Sequence, residues 1–388
     1  MDFNNTQIAF HSKSDNDLNR AYWLFKIIGY PSIVKIGKAM THFAIKFKLP
    51  IEGIIKKTIF KQFCGGTTIN DCENTTKELY KFGIGTILDY SVEGKTTDED
   101  FEKTTQEIIA TIHKASGNGA IPYAVFKVTG ISRFGLLEKA NDTSVQLNEK
   151  ENGELNEVIQ RIDRICSAGF KNDVPVFIDA EESWIQDIID RICVSMMEKY
   201  NKEKAIVFNT LQMYRHDRLS FLKKEIEKSK QGAYKYGIKL VRGAYMEKER
   251  DRAEKMGYAS PIQPDKKHTD SDYNKALELI LENIENLALC AGTHNEKSSK
   301  LLTELIDKNR IEREDKRIFF AQLLGMSDHI SYNLASSNYN VAKYVPYGPI
   351  NEVLPYLLRR ADENTSVAGQ TSRELSLLTI EKNRRKKK

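Results

Sequence analysis

The chain has 388 residues, with 59 Lys plus Arg against 54 Asp plus Glu, 40% hydrophobic and 29% charged residues. That leaves enough apolar surface for a sizeable core, excludes wholesale disorder or a fibrous repeat, and suits one large domain with an appendage or two ordinary domains. The net charge of +5 conceals a split: residues 20–61 hold nine basic residues and one acidic, the last seven residues hold six basic ones, and the remainder is net −9.

The first segment, MDFNNTQIAFHSKSDND, lacks the apolar run of a secretion signal. Lys26, Pro31, Lys35, Lys38 and Lys46 interrupt the apolar stretch that follows, so it falls short of the roughly 20 apolar residues a membrane span needs. Cys64, Cys72, Cys166, Cys193 and Cys290 form no C-x-x-C pair, and a reducing cytoplasm is the expected setting. Residues 20–63 combine nine cations with Tyr22, Trp23, Phe25, Tyr30, Phe43, Phe47 and Phe60, the composition of an interfacial amphipathic element. The plainer alternative is that these helices cap the body of the protein and that the tail KNRRKKK is solvated and disordered.

From residue 85 onward, short apolar runs alternate with helical periods. Strands are predicted in 85–91, 123–130, 174–183, 205–214, 238–245, 287–295, 318–326 and 340–348, with helices over 183–200, 217–236, 271–286, 296–308 and 350 to about 364. Eight strand–helix units over about 280 residues fit a closed (β/α)8 barrel better than an open doubly wound sheet. Two stretches interrupt the pattern: 141–158 reads as a polar insertion after the second strand, and 246–272, with Pro261 and Pro264, as a long loop after the fifth.

In such a barrel, reacting groups sit at the C-terminal ends of strands. Lys127, Asp179, Gln212, Lys239, Arg242, Thr293, His294 and Tyr344 fall there. Lys239 and Asp179, in alternation with apolar neighbours, are expected to point inward, where a charge needs a partner or a charged ligand; a structural link from Lys127 to Asp179 is the alternative. Tyr356, Arg359, Arg360 and Glu363 share one helical face, and two guanidinium forks beside a ring can grip a carboxylate. A solvated Arg–Glu stripe has the same spacing. G-x-G-x-x-G after a strand, a Walker loop, H-E-x-x-H and paired cysteines are all missing from the sequence, so Rossmann dinucleotide binding, nucleotide hydrolysis and thiolate zinc lack support, and no metal is expected.

The motifs VFIDAEES, LQMYRHD, KLVRGAYMEKER, GTHN, QLLGMSD, KYVPYGP and LPYLLRRADEN, in this order, resemble the FAD-dependent proline dehydrogenases of the monofunctional, mitochondrial-type branch. The resemblance covers about residues 85–366. It implies a distorted (β/α)8 TIM-type barrel (85–366) behind a basic helical N-terminal extension (1–84), with a basic tail (367–388). It further implies that Asp179 and Gln212 lie against FAD, Lys239 near the flavin N5, Arg242, Gly243 and Ala244 along the cofactor, and Thr293 with His294 on its adenosine side. Lys266 is expected toward the phosphates and Glu363 near the ribityl chain. For the substrate, Arg359 and Arg360 would bind the proline carboxylate, Lys127 would add a basic group, Tyr356 and Tyr344 would form aromatic walls, and Leu323 would give apolar contact.

The same resemblance implies hydride transfer from the carbon beside the ring nitrogen of L-proline, formation of pyrroline-5-carboxylate, and electron delivery to a membrane quinone, and the basic ends point to docking on the inner face of the cell membrane. A pyrroline-5-carboxylate dehydrogenase would act downstream. Asp179 and Lys239 would be the catalytic pair. A bulky Tyr356 favours proline over hydroxyproline, the substrate of relatives with a small residue there. From the residues alone, a (β/α)8 aldolase using Lys239 or Lys127 as a Schiff-base amine is a different class; the arginine pair and the lack of a Gly-rich phosphate loop argue against it. Nucleic-acid binding is not expected, since no reading motif accompanies the basic ends.

Overall fold

A computed structural model describes residues 1–30, 32, 34–35, 52–92, 95–366 and 370–387, without the side chains of 54, 361–366, 370 and 371. Eight parallel strands form a closed barrel in sequential order: β1 (Ile84–Tyr90), β2 (Tyr123–Lys127), β3 (Val176–Asp179), β4 (Val207–Gln212), β5 (Tyr236–Val241), β6 (Leu287–Gly292), β7 (Ile318–Leu323) and β8 (Val341–Tyr347). Each expected strand is present. Most strand residues are buried, as befits parallel strands covered on both faces, whose sequences therefore read as near-continuous apolar runs.

The chain divides into two compact units, residues 93–321 and residues 1–92 together with 322–388. In the first unit, inward positions follow from the two-residue period of a strand. Tyr123 of β2, Phe177 of β3, Phe208 of β4 and Phe319 of β7 form an aromatic layer, with Tyr123 stacked on Phe177 at 4.3 Å and edge-on to Phe319 at 5.0 Å. Gly237 of β5 joins them without a side chain; a Cβ there would lie 2.7 Å from the Phe208 ring. Further along β2 to β5, on the same faces, come Lys127, Asp179, Thr210 with Gln212, and Lys239. The aromatic layer thus forms the floor under a polar layer.

The long polar stretches are more helical than expected. The 141–158 insertion shrinks to the few residues before α1 (Glu149–Asn172), because Asn148 and Glu151 form a reciprocal capping box that starts the helix early. The 246–272 loop contains α2 (Met246–Met256) and the start of α3 (Lys266–Glu282). MEKERDRAEKM is built of good helix formers, and only the Gly257–Asp265 segment with both prolines stays irregular. At the other end of the strand–helix unit before it, β5 begins at Tyr236 because Gly232 closes the preceding helix at Gln231.

In the second unit, Leu18, Ala21, Phe25 and Ile28, at helical spacing within Asp15–Ile28, pack in one buried cluster with Phe60, Phe63, Val353, Leu357, Leu377 and Leu378. The last two belong to α5 (Gln370–Lys386), which follows α4 (Ile350–Ser366). The basic tail is thus helical through Lys386 and anchored just ahead of KNRRKKK, each fully buried leucine contributing about 2 kcal/mol. Arg385 also donates to the carbonyls of Phe10 and Lys13 and pairs with Asp15 at 2.9 Å. Within the basic N-terminal segment, Phe25 and Phe60 are core residues, while Trp23, Ile27 and Tyr30 are exposed. Lys38, Phe43, Lys46, Phe47 and Lys48 lie outside the described residues.

Candidate active site

In unit 93–321, the polar layer centres on Lys239, whose Nζ lies 2.5 Å from Asp179 Oδ1, with both residues buried. Thr210 donates to the same carboxylate oxygen at 3.4 Å, and the Phe177 ring centroid is 5.8 Å from the ammonium. Such a pair leaves the aromatic floor only because each charge neutralises the other; removing either would strand the remaining one in a low-dielectric site.

Lys127 is the register neighbour of Asp179 across β2 and β3, but its charge also acts on Glu181, two residues beyond. Glu181 is buried; its carboxylate accepts from Thr129 N at 3.0 Å and from the Thr129 hydroxyl. Burial pushes its carboxyl up to about 7, against the lowering effects of Lys127 and Thr129. Gln212 bridges two strand ends, donating to Glu181 O at 2.7 Å and accepting from Ala244 N at 3.2 Å.

Arg242 is held by a complete set of partners. Its Nε donates to Asp270 at 2.7 Å, its two terminal nitrogens donate to the hydroxyls of Thr293 and Ser298 at 2.7 and 2.8 Å, and its guanidinium carbon lies 4.3 Å from the centroid of the Tyr273 ring. Lys266, exposed at the first turn of α3, pairs with the other Asp270 oxygen at 2.5 Å. Gly243 has φ +135, where any Cβ would sit 2.5 Å from the Tyr214 ring; only glycine allows this chain path. Thr293 is buried and His294 half-buried at the end of β6. Asn295 then caps the next helix, Glu296–Lys308, accepting from Lys297 N and Ser298 N.

In unit 1–92 with 322–388, Tyr344, in the middle of β8 because the strand runs on to Tyr347 and so not at its end as expected, and Tyr356 on α4 are both buried. Arg359 and Arg360 are half-buried, and the Arg360 guanidinium lies 5.2 Å from the centroid of the Tyr356 ring. Leu323, at the last position of β7, packs against the buried cluster. The side chain of Glu363 lies outside those described. The arginine pair is therefore not a fully solvated stripe.

The proline dehydrogenase family model matches residues 72–373. The chain belongs to the proline dehydrogenase family. It is 34% identical to mitochondrial proline dehydrogenase 1 of Dictyostelium discoideum over 425 residues, covering 98% of this chain and 74% of that protein. It is 29% identical to hydroxyproline dehydrogenase of Xenopus laevis, covering 97% of this chain and 89% of that one. Among solved structures it resembles proline utilization A from Bdellovibrio bacteriovorus, with a TM-score of 0.72 and 18% identity over 93% of this chain; it spans 38% of that longer chain. At that identity the likeness concerns the barrel fold.

Proline dehydrogenases are oxidoreductases, and the structure places the strand-end motifs of this chain at the ends of β3 to β8. Several residues around those motifs escaped the sequence reading. Glu181 lies inside VFIDAEES and could have been found as a second acid at the same strand end. Asp270, Tyr273 and Ser298 carry no such signal: they are ordinary helix-surface residue types that become a frame for Arg242 only once α3 and Glu296–Lys308 pack beside β5. Lys343 does carry the signal, a lysine inside an apolar strand, the same one that marks Lys127 and Lys239.

Proposed function

We propose that this family member oxidises L-proline to Δ1-pyrroline-5-carboxylate with FAD as its cofactor. The observation that carries the reading is the buried Lys239–Asp179 pair above an aromatic floor, beside the Arg242–Thr293–Ser298 frame, within one barrel. The donor set suits a flavin dinucleotide: Lys239, Arg242 and Lys266 are cations suited to an anionic cofactor, Gln212 offers amide chemistry, and Gly243 keeps its backbone bare where a side chain would clash. Gln212, Lys239, Arg242, Gly243, Ala244, Lys266, Thr293 and His294 would hold it, with Asp179 fixing Lys239. When bound, FAD supplies a two-electron acceptor for a hydride.

The chain's own residues have three tasks. Arg359 and Arg360 bind the substrate carboxylate, with Lys127 as a further basic group, and so orient the ring. Tyr344, Tyr356 and Leu323 enclose its apolar body and exclude water. The buried Asp179 fixes the Lys239 ammonium at one position, so its charge is in place before reaction and needs no reorganisation. The substrate amine must be neutral when its neighbouring carbon gives up hydride, and release of that proton to solvent before the reaction suffices.

Electrons are proposed to leave to a membrane quinone, and a pyrroline-5-carboxylate dehydrogenase would consume the product. Peripheral attachment to an anionic cytoplasmic membrane face is supported by Trp23 and Ile27, exposed at i and i+4 on the helix Asp15–Ile28, by the exposed Tyr30 just past its end, and by the Lys26 ammonium 4.9 Å from the Trp23 ring centroid. Among the described residues no helix is long and apolar enough to cross a membrane. Hydroxyproline oxidation is the second reading, favoured by the 29% identical Xenopus relative and opposed by the bulk of Tyr356. The direct test is spectroscopic: bound flavin, reduced by proline in preference to hydroxyproline.

A further inference from the structure

The turn that follows β7 is held by three buried side chains from three distant parts of the chain. Leu323–Ser327 reverses direction through two residues in the left-handed region, Gly325 (φ +75) and Ser327 (φ +51). Gln62, buried before the barrel begins, donates from Nε2 to Gly325 O at 3.0 Å, and a Cβ on Gly325 would lie 2.1 Å from the Gln62 carbonyl. Lys343, wholly buried in β8, donates to Met326 O at 2.5 Å and to Leu323 O at 3.4 Å while pairing with Asp328 at 2.9 Å. Glu374, on α5, accepts from Ser327 N at 2.5 Å.

Ser327 is the N-cap position of the helix Asp328–Ala335 and makes no side-chain cap of its own. Glu374 supplies the acceptor from the last helix, where a carboxylate also suits the helix dipole. Asp328 in the first turn receives Lys343 and, at 3.4 Å, Lys13. Burial alone would push its carboxyl up, yet the two lysines hold it down at about 2. A turn carrying two positive-φ residues persists where the surroundings over-determine it. Here its backbone is gripped at Leu323, Gly325, Met326 and Ser327, and Leu324 N in addition donates to Tyr344 O at 2.8 Å. That bond ties Tyr344 to the residue after Leu323, whose own carbonyl Lys343 holds, and Leu323 and Tyr344 are both assigned above to the substrate.

We infer that Gln62, Lys343 and Glu374 are positioning residues for substrate recognition: by clamping the 323–327 turn they set where Leu323 and Tyr344 stand, and α5 is a working part of the enzyme. This rests on the assignment of Leu323 and Tyr344 to the proline pocket.

The test is steady-state kinetics with proline on purified full-length enzyme, with flavin content and melting temperature measured alongside. Glu374→Ala and Gln62→Leu each raise KM by about tenfold, more than they lower kcat, with flavin retained; Glu374→Gln, which keeps an oxygen for Ser327 N, stays within about twofold of the parent. If Glu374→Ala does not fold, Gln62→Leu, which introduces no charge, gives the same reading. A lowered melting temperature with unchanged KM in the folded variants overturns the inference and leaves the clamp as scaffold. Arg359→Ala separates the two levels. A raised KM there with normal KM in the clamp variants sinks the clamp alone, whereas an unchanged KM in Arg359→Ala overturns the pocket assignment and the inference with it.

Discussion

Lys239 on β5 and Asp179 on β3 meet across the intervening β4 at 2.5 Å, directly above the aromatic layer of the barrel. The pair explains how the barrel interior accommodates charge, and it predicts a specific coupling. Lys239→Met leaves the Asp179 carboxylate buried without that cation and should cost about 3 kcal/mol of unfolding free energy, whereas Lys239→Met with Asp179→Asn should cost less than the single change. A double-mutant cycle by denaturant titration checks this; additive costs would mean that the two side chains do not depend on each other. Both variants should lose proline oxidation, because the ammonium is assigned to the reacting end of the cofactor.

Glu181 predicts a pH dependence. Its carboxyl is raised in the folded protein to about 7 from an ordinary 4.5, so folding favours the neutral acid. The stability this lends is complete below pH 4.5 and is lost as the pH climbs through 7. Relative to Glu181→Gln, the parent should therefore lose on the order of 2 kcal/mol between pH 4.5 and 8. Parallel stability profiles for the two proteins would show that the buried carboxyl titrates normally.

How far the molecule could be read from sequence depends on what kind of signal each part carries. Asp179, Lys239 and Lys127 were visible because strand alternation sets a charge against apolar neighbours. Lys343 gave the same signal, but it stands one residue from Tyr344 and so faces the other side of β8, toward the turn and helix outside the barrel; its role required the contact with Met326 O. The 246–272 stretch misled because its prolines dominate the eye, although they occupy only the link between two helices. The basic tail was read by charge alone, and Leu377 and Leu378, which anchor it, look unremarkable in a short segment. Strand number and order were legible because each strand is a compact apolar run; the polar frame around Arg242 was not, because it is assembled from residues far apart in sequence.

Tyr356 predicts substrate choice. Its ring is buried and carries the Arg360 guanidinium at 5.2 Å, which leaves little room for an added hydroxyl. Tyr356→Ser should raise kcat/KM for hydroxyproline relative to proline by about tenfold. Competition assays with the two imino acids check it, and an unchanged ratio would remove Tyr356 from the specificity wall.

The exposed Trp23 and Ile27 of the helix Asp15–Ile28, with Tyr30 just past its end, predict membrane attachment. The parent protein should co-sediment with vesicles containing phosphatidylserine, and Trp23→Glu combined with Ile27→Glu and Tyr30→Glu should abolish this while leaving activity with a soluble acceptor intact. Sedimentation indifferent to these changes and to deletion of KNRRKKK would assign both basic ends to the cover of the core alone.

The central claim is that the barrel carries FAD and that proline reduces it. One anaerobic absorption spectrum, recorded before and after adding L-proline to protein purified after expression with ample riboflavin, tests it most directly. The account predicts a yellow protein whose flavin band bleaches with proline and does so far less with hydroxyproline. A colourless protein, or a flavin band that saturating proline leaves unchanged, would contradict it.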